Sequence, residues 1–191
     1  MRWVVLLIVT FMFLVMELSL QRVMALGGVR PSFVAALVVF VSLFAPRVNA
    51  LWACWGIGLI IDLLSPLPHG GGRAGPLIGA HALGFTFACF LLLQIRPTLF
   101  RRQALTVSIM TVIFLLASSL VVVFLYTVHG WYPRQAEDLA WTTLSPLGEL
   151  GRRLAVALYS GLLSLPLGAV LMWTLPLWGF RSATPRRPAW R

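Results

Sequence analysis

Acids inside apolar runs are the first candidates for chemistry here, and the sequence has two of them. Asp62 lies in "GIGLIIDLLSP", and Glu17 lies near the end of "MRWVVLLIVTFMFLVMELSL". An ionised carboxylate at the centre of a membrane span costs about 2.5–3.5 kcal/mol, so each needs a partner. Gly58 precedes Asp62 by one helical turn on the same face, where it admits close approach by another helix or backbone. Trp55 and Ser65 share that face approximately. Asp62 is therefore expected to face the bundle interior, held by a donor from a neighbouring helix. Two acids at one depth are compatible with a cation or proton path. No row of further polar residues joins them, so two separate structural pins are preferred. Arg22, Arg30 and Arg73 are the expected pairing partners.

Other chemistries find less support. The histidines are His69, His81 and His129, and none forms H-E-x-x-H or another paired spacing. Cys54 and Cys89 lie in apolar runs without a CxxC, which argues against metal and redox roles. "SPLPHGGGRAGPL" lacks the lysine and the Ser/Thr of a phosphate loop, and no strand precedes it. It reads as a flexible hairpin whose tip, Arg73, can fold back toward Asp62. No G-x-S-x-G elbow is present. No catalytic set, metal site or cofactor is expected.

The surrounding composition explains why. Hydrophobic residues make up 60% of the 191 residues, charged ones only 10%, and mean hydropathy is +0.92. Such a chain is an all-α, polytopic membrane protein rather than a soluble domain. Six spans are expected at about 3–20, 33–45, 48–67, 74–95, 104–128 and 154–178, the last bent at Pro166. A short basic tail, 179–191, follows. The first span is too long for a signal-peptide core and reads as retained. The second, between Pro31 and Pro46, is the short one at roughly 20 Å against a core of about 30 Å. It either starts earlier, near Ala25, or sits behind the other helices.

The net charge of +10 comes from fifteen arginines and no lysine. They are scattered between apolar runs, which suits topology setting and contact with anionic lipid, not nucleic-acid binding. With the N-terminus inside, inner segments hold nine of them: Arg2, Arg47, Arg96, Arg101, Arg102, Arg181, Arg186, Arg187 and Arg191. Outer segments hold six: Arg22, Arg30, Arg73, Arg134, Arg152 and Arg153. Both termini are thus expected in the cytoplasm. The longest outer loop, about 129–153, carries Trp131, Tyr132 and Trp141. It suits either interfacial anchoring, with a short helix on the outer leaflet, or docking of a partner.

The stretches "APRVNALWACWGIGLIIDLLSP" and "GAHALGFTFACFLLLQIRPTLFRRQ" resemble the MreD family of rod shape-determining inner-membrane proteins. The likeness rests on Pro46-Arg47-Val48-Asn49 entering a span, then on Gly58 to Asp62 as G-x-x-x-D. Gly79, Ala82 and Leu83 open the next helix, and the basic hairpin from Arg96 to Gln103 closes it. It covers about a third of the chain. One departure is the connection "LLSPLPHGGGRAGPLI", longer than the family's tight link, which puts contacts made by this hairpin in question.

The resemblance implies a fold similar to the substrate-binding subunits of energy-coupled vitamin transporters. It implies no enzymatic activity. It also implies a place in the elongation machinery of the bacterial inner membrane. There the chain would scaffold an MreC-like protein and, through it, MreB, RodA and its transpeptidase partner. The rival class is a small-molecule-binding transporter subunit, with Glu17, Asp62, His81 and Arg73 lining a polar pocket. It would need a coupling protein with ATPases. The chain shows no strong Ala-x-x-x-Ala face on spans one to three, which disfavours it.

Overall fold

The computed structural model describes residues 2–26, 29–64, 79–98, 103–130 and 146–180. These form six α-helices: α1 Trp3–Val23, α2 Phe33–Phe44, α3 Arg47–Leu64, α4 Ala80–Ile95, α5 Ala104–Gly130 and α6 Pro146–Trp173. Single 3₁₀ turns follow α4 at Arg96–Thr98 and α6 at Leu175–Trp178. Among the described residues the only strand-like pairing is an isolated bridge between Leu26 and Val29. Predominantly apolar runs give helices because, in lipid, every backbone N–H and C=O must be satisfied within the segment.

Four helices, α1, α3, α5 and α6, contain segments long and apolar enough to cross a bilayer. The other two are short. At 1.5 Å per residue, the 12 residues of α2 reach only about 18 Å. All of its residues from Phe33 to Leu43 are buried, and it touches each of the other five helices. A helix that is apolar on every side belongs inside a bundle. Of the two readings offered for the short second span, the structure gives the one behind the other helices. Around it, α3 packs on α4, α4 on α5, and α5 on α6, while α1 lies against α2. Most of α1 is left outward-facing, with Val4, Leu7, Ile8, Phe11, Val15 and Leu18 exposed.

Burying apolar area drives little between helices already in lipid, so close packing and hydrogen bonds must hold them. Small residues provide the packing. A Cβ on Gly84 would come within 3.0 Å of the Ser118 carbonyl, and one on Gly168 within 3.2 Å of Val107. A Cβ on Gly161 would overlap Val112, and the Gly161 carbonyl accepts from the Ser108 hydroxyl at 2.6 Å. At one end of the bundle Trp178 is fully buried against Phe40 and Phe180. The Arg2 N–H donates to the Trp178 carbonyl at 3.1 Å, which ties the start of α1 to the end of the described chain.

Several expected boundaries move. α5 extends to Gly130 and α6 starts at Pro146, so both ends of the expected 129–153 outer loop are helical. The expected loop helix, together with Trp131, Tyr132 and Trp141, lies outside the described residues. α6 continues through Pro166.

In the core, Ser42 of α2 donates to the Val38 carbonyl at 2.8 Å. Its oxygen also lies 3.4 Å from the Cys54 sulfur and 3.3 Å from the Cys89 sulfur. Three helices therefore meet at one polar point, with both cysteines fully buried and free. A membrane-permeant maleimide is expected to label neither thiol in the folded protein. Labelling should slow by about 100-fold or more relative to the unfolded chain, since it waits on an opening of some 3 kcal/mol. Rapid labelling of native protein would show that this junction is open.

Candidate functional site

The described end of α3 and start of α4 form the most polar junction of the bundle. α4 begins at Gly79, whose φ of +115° is a backbone conformation that glycine adopts without strain. Glycine has no side chain to cap the first turn, so the free N–H groups there need an outside acceptor. Asp62 supplies it from α3. One of its oxygens accepts from the backbone N–H of Gly79 and of Ala82, both at 3.0 Å. The other accepts from the backbone N–H of His81 at 3.0 Å and meets His81 Nδ1 at 2.7 Å. With the carboxylate ionised, Nδ1 carries the proton of that contact. Asp62 is only 3% exposed. Its charge faces the positive end of the α4 dipole, which is the favourable placement for an anion.

Gly58 makes that reach possible. A Cβ at this position would lie 2.7 Å from the Ala82 Cα and 2.8 Å from the His81 carbonyl oxygen. Only a hydrogen fits between α3 and the α4 backbone, one turn before the carboxylate. Trp55, expected on roughly the same face, is instead 43% exposed and stands edge-on to Trp52. Ser65 and Arg73 lie outside the described residues.

Glu17 repeats the arrangement one hairpin earlier. One oxygen accepts from the N–H of Phe33 at 2.6 Å and of Val34 at 3.0 Å, the first two residues of α2. The Ser32 hydroxyl accepts from Ala35, and the Ser32 N–H donates to Ser160 of α6 at 2.8 Å. All the opening donors of α2 are thus satisfied. Glu17 takes its donors from the backbone of α2 and, at 3.5 Å, from Gln21; Arg30 is exposed, while the Arg22 side chain and Arg73 lie outside the described residues. The physical reason is that a helix start offers several converging donors without the desolvation of a second charge. α1 and then α3 each hold the start of the helix that follows. No sequence repeat announces this.

Glu17→Ala is expected to cost about 1–2 kcal/mol, the scale of a lost helix cap, and Glu17→Gln less because it keeps an acceptor. Thermal unfolding in detergent checks this. Equal melting of the alanine variant and the parent would show that the cap contributes nothing.

The remaining motif positions occupy the other end of α3 and the outer face of α4. Pro46 and Arg47 are exposed, Asn49 is half-buried, and Leu83 is 54% exposed. Two hydrogen-bonded pairings were not assigned from the sequence, although the transporter reading had set His81 and Asp62 beside one pocket. His81 joined Asp62 across the hairpin, and the cysteines joined Ser42 across α2. Neither set has a periodic signal, since the separations are set by loop length.

Glu17 and Asp62 thus sit at the starts of two different helices; both oxygens of Asp62 and one of Glu17 accept from backbone N–H groups. Among the described residues no group of three or more His, Cys, Asp or Glu is placed to hold a metal ion. What the arrangement does chemically is hold helices.

No curated protein and no solved structure matches the chain. The family model for the rod shape-determining protein MreD matches residues 1–134, more than half of the chain. That stretch takes in α1 to α5 and therefore both capping acids, Gly58 and Gly79; α6 follows it. An all-helical bundle with four membrane-length spans agrees with that match, and the chain belongs to the MreD family of rod shape-determining proteins.

Proposed function

We infer that this chain is a non-enzymatic component of the cell-elongation machinery in the bacterial inner membrane. It holds an MreC-like single-span protein and, through it, the RodA and transpeptidase wall synthases and the MreB filament. Both termini lie in the cytoplasm. The observation that carries the reading is the family match over residues 1–134. The site geometry supports it: both capping acids are engaged in positioning helices, as befits a rigid scaffold. The arginine distribution supports the orientation, nine inside against six outside. The sequence between α5 and α6, with Trp131, Tyr132 and Trp141, is the proposed docking segment for the partner.

Crosslinking in native membranes, then mild-detergent purification and mass spectrometry, tests this. Recovery of an MreC-like protein with wall synthases is the expected result, together with rounded cells on depletion. Recovery of an energy-coupling membrane protein with ATPases would overturn it in favour of a transporter subunit.

A further inference from the structure

The end of the bundle opposite Asp62 carries a groove with no part in the capping described above. Its volume is about 270 Å³, and it is lined by Pro46, Arg47, Leu93, Arg96 and Pro97. It forms where the tight α2–α3 turn meets the end of α4. Arg96 is held in place there, its Nη1 donating to the carbonyls of Ala45 and Ser42 at the end of α2. Arg47 is the first residue of α3 and is exposed. No acid lies in the first turn of α3, so the positive end of that helix adds to the same sign. The two capping acids, Glu17 and Asp62, are engaged at the starts of α2 and α4, away from this end.

A guanidinium fork presents paired donors that match phosphate oxygens, and basic pockets between membrane helices take lipid headgroups. The two helices that bring Arg47 and Leu93 to the groove also carry exposed apolar side chains. Val48 and Trp52 on α3 are 64% and 61% exposed, and Phe90 on α4 is 49% exposed. A phosphate carried on a lipid brings acyl chains that can lie on such apolar surface, whereas a free phosphate brings none. We propose that the groove binds the phosphate of an anionic phospholipid. Arg47 is the recognising fork, Arg96 the pre-positioned second cation, and the acyl chains lie along Val48, Trp52 and Phe90. The two cations disfavour zwitterionic headgroups, whose own ammonium would be brought close to them. The inference is independent of which proteins the chain holds.

Native mass spectrometry of the full chain in mild detergent, titrated with phosphatidylglycerol, cardiolipin or phosphatidylcholine, tests it. One anionic lipid is expected to bind with at least about tenfold preference over phosphatidylcholine, a difference of one decade in Kd. Arg47→Gln should lose about tenfold in affinity, and Arg47→Lys should fall between, keeping the charge but not the fork. Arg30→Gln, near the start of α2, should leave binding unchanged. Inorganic phosphate at millimolar concentration should not displace the lipid. Equal affinity for both lipid classes, or undiminished binding by folded Arg47→Gln, would overturn the proposal. So would displacement by inorganic phosphate, which would make the groove a site for free anions.

Discussion

Asp62→Ala should leave little folded protein. The substitution strips the acceptor from three backbone N–H groups at the start of α4 and from His81 Nδ1. Each buried donor left without an acceptor costs about 1–3 kcal/mol, and partial access to water on the His81 side reduces the sum. A loss of about 3–5 kcal/mol is expected, a large share of the stability of an ordinary domain. Asp62→Asn keeps one carbonyl acceptor but turns an NH₂ toward N–H groups, so about 2 kcal/mol is expected there. His81→Ala removes one donor of four and should cost the least. The measurement is the melting temperature of the monodisperse fraction in one detergent across the three variants. The order Ala, Asn, then His81→Ala is the test, and a wild-type melting curve for Asp62→Ala would refute the capping role.

The second large effect is steric. Adding one methyl at Gly58 places it against the Cα and N of Ala82 and the carbonyl of His81, all backbone atoms that cannot rotate away. Gly58→Ala is expected to force α3 and α4 apart and cost about 2–3 kcal/mol, with Gly58→Leu failing to fold. Gly56, two residues earlier on the same helix, has nothing within 4 Å of its would-be Cβ. Gly56→Ala should therefore be neutral or stabilise by up to about 1 kcal/mol through helix propensity. The opposite signs at 56 and 58 separate packing from composition. If both alanines behave alike, the contact at Gly58 is not what sets the α3–α4 distance. Because separation of the helices also withdraws Asp62 from its donors, Gly58→Ala and Asp62→Ala should combine to less than their sum. A shortfall of about 1 kcal/mol or more is expected for groups in one network.

The order of helices was legible because apolar runs bounded by Pro and Arg leave few alternatives in lipid. Asp62 with Gly58 was legible as a pair, since a carboxylate in an apolar run needs a partner and a glycine one turn away makes room. The identity of the partner was not legible. Sequence displays side chains, so Arg22, Arg30 and Arg73 stood out as candidates, while the converging N–H groups at a helix start have no letter of their own. Gly79 was visible as a family position, but its part in exposing those donors depends on a positive φ. The place of α2 was open for a related reason: "FVAALVVFVSLF" is apolar on all sides, and only its length and the structure separate a buried helix from a lipid-facing one. The Arg47 groove was hidden because Arg47 and Arg96 come from different hairpins and meet only at the helix ends.

The central helix also has a consequence for how the protein is made. α2 is fastened at its start by Glu17, made 16 residues earlier, and by Ser160, 128 residues later. At its other end it is fastened by Arg96, 51 residues beyond Ala45. As α2 leaves the ribosome only the first of these clasps exists, and a helix of about 18 Å does not bridge a core of about 30 Å unaided. Its residence in the membrane is therefore provisional until α4 arrives, and it is completed only by α6. In order of synthesis, the helix that every other one touches gains its last contacts only when α6 has been made.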